Sequence, residues 1–167
     1  MRQPFVVACL LTAAGLIPFL LTAVAILFDP LDTPTAVQIL VGYGAVILSF
    51  TGAVHWGFAL RDSAHPVQGT PLSPAVLGAE RHLLMFGVVP ALIGWVALIA
   101  MIHFAAPGLA VFLLLAGFFI TIVVETIGKG RGVVAGNYLA LRWAVSIVVL
   151  LILLSVLFAI LSGMRVG

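Results

Sequence analysis

Read for polarity alone, the chain alternates between long apolar runs and short polar breaks. The runs lie at about 5–28, 37–60, 80–104, 109–127 and 137–161. A helix of some twenty residues, rising about 1.5 Å per residue, crosses the roughly 30 Å hydrocarbon layer of a bilayer. The breaks carry turn chemistry. Asp29-Pro30-Leu31-Asp32-Thr33-Pro34 is acidic and proline-rich, with Thr33 or Thr35 placed to cap the second helix. The segment from Arg61 to Ala79 holds prolines 66, 71 and 74, Ala105-Ala106-Pro107-Gly108 is a short uncharged turn, and Gly128-Lys129-Gly130-Arg131-Gly132 is a basic loop. The pattern predicts an all-α polytopic membrane bundle of five transmembrane helices forming one domain over 1–167.

Two of the runs contain a proline. Pro18 removes one backbone hydrogen bond and its ring clashes with the preceding turn, which predicts a kink near Ala14. Inside a bilayer the freed carbonyl needs a neighbouring helix or hydroxyl as its partner. Pro90 sits in the middle of the third run.

Composition removes the alternatives. The chain is 64% hydrophobic and 7% charged, with a mean hydropathy of +1.36. A soluble domain has about a quarter of its residues charged, so this chain belongs in a membrane. Its formal charge of +2 rests on few groups and gives no reason to expect nucleic acid. The basic residues report orientation instead. With five crossings Arg2, Arg61, Arg81, Lys129, Arg131 and Arg142 fall on one side and Arg165 on the other, so the N-terminus is expected in the cytoplasm and the C-terminus outside. The run from Phe5 to Phe28 is longer than a signal-peptide core and is read as a first transmembrane helix. The one cysteine, Cys9, allows no intrachain disulfide and no cysteine-based metal site, and the apolar run before it is too short for a lipoprotein signal. Internal repeats are not evident, and an odd helix count argues against an inverted-repeat transporter.

Candidate chemistry centres on the second helix. Gly42, Ala45, Ser49, Gly52, Ala53 and Gly57 recur at steps of three and four, a spacing that lets a neighbouring backbone approach closely. Near its end stand His55 and Trp56. Five crossings bring His55 into one layer with Glu80, Arg81 and His82 at the start of the third helix, Glu125 at the end of the fourth and Arg142 at the start of the fifth, with Trp56, Tyr138 and Trp143 around them. Ionisable groups inside a membrane face the bundle interior and pair. One reading is a polar pocket for a lipid headgroup, a quinone ring or a transferable proton, with His55 as donor or base and Arg142 holding an anion or Glu125. The other is an interface belt, since Trp, Tyr, Arg and His collect at headgroup depth in any membrane protein. His103 lies at the opposite membrane face, so it cannot share a metal or a haem with His55. No metal site and no haem are expected, and P-loop, H-E-x-x-H, G-x-S-x-G and CxxC motifs are all missing from the sequence.

Four segments in order, Gly15-Leu16-Ile17-Pro18-Phe19, Tyr43 to Phe50 through His55-Trp56-Gly57, Val88-Val89-Pro90-Ala91-Leu92 with Trp95, and Tyr138-Leu139-Ala140-Leu141-Arg142, resemble a family of small multi-span proteins of unknown function. That family occurs in bacterial inner membranes and includes the mitochondrial transmembrane protein 69. The resemblance implies a bacterial inner-membrane location and a common bundle, marks His55, Trp56 and Arg142 as motif positions, and implies no activity. Two functions are therefore expected. The first is an accessory subunit or assembly factor of a larger, energy-transducing membrane complex, with membrane lipids and partner subunits as its contacts. The second is a self-contained lipid, quinone or proton carrier using the His55 layer.

Overall fold

A computed structural model describes residues 3–28, 33–64, 74–130 and 136–163. Among the described residues the chain forms α1 (Gln3–Ala14), α2 (Ile17–Phe28), α3 (Thr33–Ala64), α4 (Pro74–Ile102), α5 (Pro107–Gly130) and α6 (Gly136–Leu161), with no strand. Five stretches are long and apolar enough to cross a membrane: Phe5–Phe28, Thr33–Gly57, Leu84–Ile102, Pro107–Ile127 and Leu139–Leu161. The chain is a multi-pass membrane protein.

The first run is two helices, because Pro18 acts where its chemistry requires. Helix α1 stops at Ala14, and α2 restarts at Ile17 with Pro18 in its second position. The hydroxyl demanded by the break is Tyr43 Oη of α3, which donates to the Gly15 carbonyl at 2.9 Å. Proline also sets the other helix starts. Pro34, Pro74 and Pro107 occupy the first or second position of α3, α4 and α5, where the absent N–H has no intrahelical partner to lose. For this reason α4 opens at Pro74 and not near Glu80, and α5 at Pro107 and not at Leu109. Helix α3 begins at Thr33 and continues past Leu60 to Ala64, so the polar segment from Arg61 to Ala79 is helical at both ends. Residues 65–73 lie outside the described residues.

Helix α3 runs antiparallel to α4: Ala45 meets Gly94, Gly52 meets Gly87, and Trp56 reaches Leu84. It runs parallel to α5, with Gly44 against Leu114 and Leu48 against Gly117. Helix α6 lies antiparallel to α5 and packs back on α2. The core gathers round Phe19, whose ring meets Tyr43 at 5.1 Å and Phe118 at 6.1 Å, both edge-on. At the α4–α5 turn Ala105 adopts the left-handed conformation with φ 46°, and Ala106 N–H donates back to the Ala100 carbonyl at 2.9 Å.

The small residues of α3 divide. At Gly52 an added Cβ would collide with the Gly87 carbonyl oxygen and lie 3.2 Å from the Pro90 ring, and Ala45 sits within 3.3 Å of the Cβ position of Gly94. Gly42 and Gly57, expected on the same packing face, have open space at the Cβ position, and Ser49 is half-buried with its hydroxyl donated to the Ala45 carbonyl of its own helix. Close approach is confined to the stretch where α3 and α4 cross. Gly44, outside the expected set, makes the tight contact to α5 through the Leu114 side chain.

Candidate functional site

Three ionisable groups of the second, fourth and fifth spans sit within one turn of the same end of the bundle: His55 near Gly57, Glu125 near Ile127 and Arg142 near Leu139. Antiparallel packing of α5 and α6 sets the Glu125 and Arg142 side chains against each other. Arg142 Nε donates to Glu125 Oε2 at 2.9 Å and to Oε1 at 3.2 Å, and Nη2 donates to Oε1 at 3.0 Å. The Glu125 side chain is wholly buried and that of Arg142 is 15% exposed. Such a two-pronged, charge-assisted pair is the arrangement that makes an ionised carboxylate tolerable away from water. One residue on, Trp143 Nε1–H donates to Thr126 Oγ1 at 3.1 Å, which fixes the rotation of α6 against α5.

His55 is 2% exposed and reaches this layer from α3. The register that sets Gly44 against Leu114 and Leu48 against Gly117 brings His55 level with Glu125 two turns later. Its Nδ1 lies 3.2 Å from the Thr51 carbonyl. A carbonyl only accepts, so Nδ1 is the donor in this contact, and in the neutral tautomer that makes it the lone pair lies at Nε2. That Nε2 is buried without a hydrogen-bond partner, the only such side-chain atom among the described residues. The Phe86 ring of α4 packs edge-on against the imidazole at 5.2 Å.

Beside the layer, a cavity of about 430 Å³ opens between α1–α2, α3 and α6. Its polar lining consists of Thr12, Thr51 and Arg142, and the remaining wall is apolar, including Leu11, Phe19 and Val149. Thr12 donates its hydroxyl to the Ala8 carbonyl and Thr51 to the Leu48 carbonyl, both within their own helices. The strong donor left on the wall is the Arg142 guanidinium. Its bonds to Glu125 use Nε and Nη2, and among the described residues none accepts from Nη1. The cavity starts at Leu141 and Arg142 and follows α6 to Val149, a depth of roughly 11 Å at 1.5 Å per residue.

The remaining expected members of the layer do not enter the site. His82 and Arg81 are exposed, Trp56 is 45% exposed and spends its Nε1–H on the Leu84 carbonyl at 3.0 Å, and the side chains of Glu80 and Tyr138 lie outside the described ones. His103 is exposed in the turn after α4, at the other end of the bundle, with its ring on Phe104. Thr51 and the α1–α2 wall escape a reading by sequence. A threonine in an apolar run is ordinary, and only packing shows that α3 turns that face towards a gap.

No solved structure matches this chain. Transmembrane protein 69 of Xenopus tropicalis is 36% identical over 92 residues, a stretch that is 55% of this chain and 32% of that protein, so the match spans about a third of the relative's length. The four segments singled out in the sequence fall within residues 6–158, which match the family model described as "Protein of unknown function (DUF3429)". Two of them meet in the fold, where Tyr43 closes the break at Gly15. By that match, which covers most of its length, the chain belongs to the DUF3429 family.

Proposed function

We propose that the protein binds a membrane amphiphile in the cavity between α1–α2, α3 and α6, with the polar group at Arg142 and the chain or ring directed towards Phe19 and Val149. One observation carries this reading: an apolar cavity whose single strong donor stands at the end nearest the membrane surface. Ligand sites have this composition in general, a mostly apolar wall with few placed polar groups. On this reading the basic residues of the loops favour the cytoplasmic side of a bacterial inner membrane for this end. The test is extraction into nanodiscs, with mass spectrometry of the lipids and quinones that stay bound. A stoichiometric amphiphile in the natural protein that is lost from a folded Val145→Phe variant supports the reading. An equal lipid complement in both overturns it.

The accessory-subunit reading is favoured by a different observation. The first span is only 17% buried within the chain, against 44% for the second. Its exposed residues include Leu10, Leu11 and Leu21, a broad apolar face for a partner subunit of an energy-transducing complex. Co-migration of the tagged protein with such a complex after mild extraction supports this reading. Migration as a monomer argues against it.

A further inference from the structure

The Arg142–Glu125 pair and the orphaned His55 nitrogen lie at the same end of the bundle. We infer that the cavity takes an amphiphile bearing one fixed negative charge, and that its binding is coupled to uptake of one proton at His55 Nε2. The inference rests on the proposed cavity reading and names its ligand class.

The argument is one of charge. Arg142 and Glu125 form a neutral pair, so with the Nδ1–H tautomer of His55 the layer carries no net charge. An anion entering beside Arg142 would leave this layer one negative charge in excess at a depth where water does not screen it. A proton on Nε2 restores neutrality. It converts the unpartnered acceptor into a donor and places a cation level with Glu125. Glu125 then divides its attraction between the imidazolium and Arg142, and the guanidinium gains freedom to turn Nη1 and Nη2 to the anion. Thermodynamic reciprocity makes the effect two-way: the proton tightens anion binding and the anion holds the proton.

Among the described side chains the surroundings supply no rival group. Packed against α3, helix α2 has no titratable residue, α5 presents Glu125 at this level, and α4 presents Phe86, with its described titratable side chains Arg81 and His82 exposed. Helix α6 contributes Arg142, already held by Glu125. On α3 itself, Arg61 and Asp62 follow the span, and their side chains lie outside the described ones. The position of His55 two residues before Gly57, where the span ends, gives the proton a short route from the aqueous phase.

The experiment uses the full chain in phosphatidylcholine nanodiscs with two spin-labelled probes, phosphatidylglycerol, whose charge is fixed across the range, and uncharged diacylglycerol. Between pH 8 and pH 6 the affinity for phosphatidylglycerol should rise by up to about tenfold per pH unit, the slope for one linked proton. Diacylglycerol should show no slope. His55→Phe should abolish the slope, and Glu125→Gln, which releases Arg142 permanently, should bind phosphatidylglycerol tightly at every pH. In the unaltered protein, the ¹⁵N resonance of His55 Nε2 should move from the bare-acceptor to the protonated position on addition of phosphatidylglycerol, a reading that needs no variant to fold. A flat pH profile with binding still abolished by Val145→Phe overturns the inference and leaves the cavity reading standing. Immobilisation of neither probe overturns both. A slope that persists in His55→Phe assigns the proton elsewhere and overturns the role of His55.

Discussion

Helix α3 presents two opposite solutions to packing within one bundle. Towards α4 it leaves no room: Gly52 lies on the Gly87 carbonyl, and the Cβ position of Gly94 is 3.0 Å from the Ala45 carbonyl oxygen. Towards α1–α2 and α6 it leaves a cavity of about 430 Å³, walled by Ile47, Phe50, Thr51 and Val54. The difference is one of residue type by face. Where glycine and alanine align, backbones approach and dispersion holds the helices, since lipid tails offer no hydrophobic drive between them. Where large side chains and a helix break align, the surfaces cannot interdigitate and a gap persists. A dry interface of this kind resists change, whereas a gap can be filled. The candidate site occupies the second kind of surface and borrows its rigidity from the first.

The sharpest way to break the contrast is Gly52→Leu. A side chain there must displace the Gly87 backbone and the Pro90 ring, so the variant is expected to lose folded protein altogether, read by size-exclusion chromatography in detergent. Gly44→Ala is its control, because the atoms it meets belong to the flexible Leu114 side chain, and a folded peak should remain.

Next in size is the ion pair. Glu125→Ala strands Arg142 in the bundle and should cost about 3 kcal/mol, at the lower end for a buried pair because the guanidinium is partly exposed. Removing both charges in Glu125→Leu with Arg142→Met should restore most of that stability, measured by thermal unfolding. If the double variant is as weak as the single one, attraction within the pair is not what holds α5 to α6.

Tyr43→Phe removes the hydroxyl that serves the break at Gly15 and should cost about 1 kcal/mol, with faster amide exchange near residue 15 and little change elsewhere. The smallest effect belongs to the α4–α5 turn. Ala105→Gly relieves the left-handed strain but adds freedom to the unfolded chain, for a net gain of about 0.5 kcal/mol, seen as a small rise in melting temperature.

Much of this was legible beforehand. Hydropathy located the five spans, and Pro18 located the break between α1 and α2. The alternation of crossings gathered His55, Glu125 and Arg142 at one end of the bundle. It also gathered His82 and Trp56, which face outwards, because alternation gives depth and not direction. Small-residue spacing identified α3 as a packing helix, and it named Gly42 and Gly57 alongside Gly52 because periodicity cannot tell where two helices diverge.

The sequence by itself determined the membrane, the five spans, the break at Pro18 and the end of the bundle that holds His55, Glu125 and Arg142, since these follow from local hydropathy and proline chemistry along one chain. Tertiary structure alone decided which face of each helix met another. It paired Arg142 with Glu125, left His55 Nε2 without a partner and opened the cavity beside them, because each of these depends on the rotation and spacing of helices that are distant in sequence.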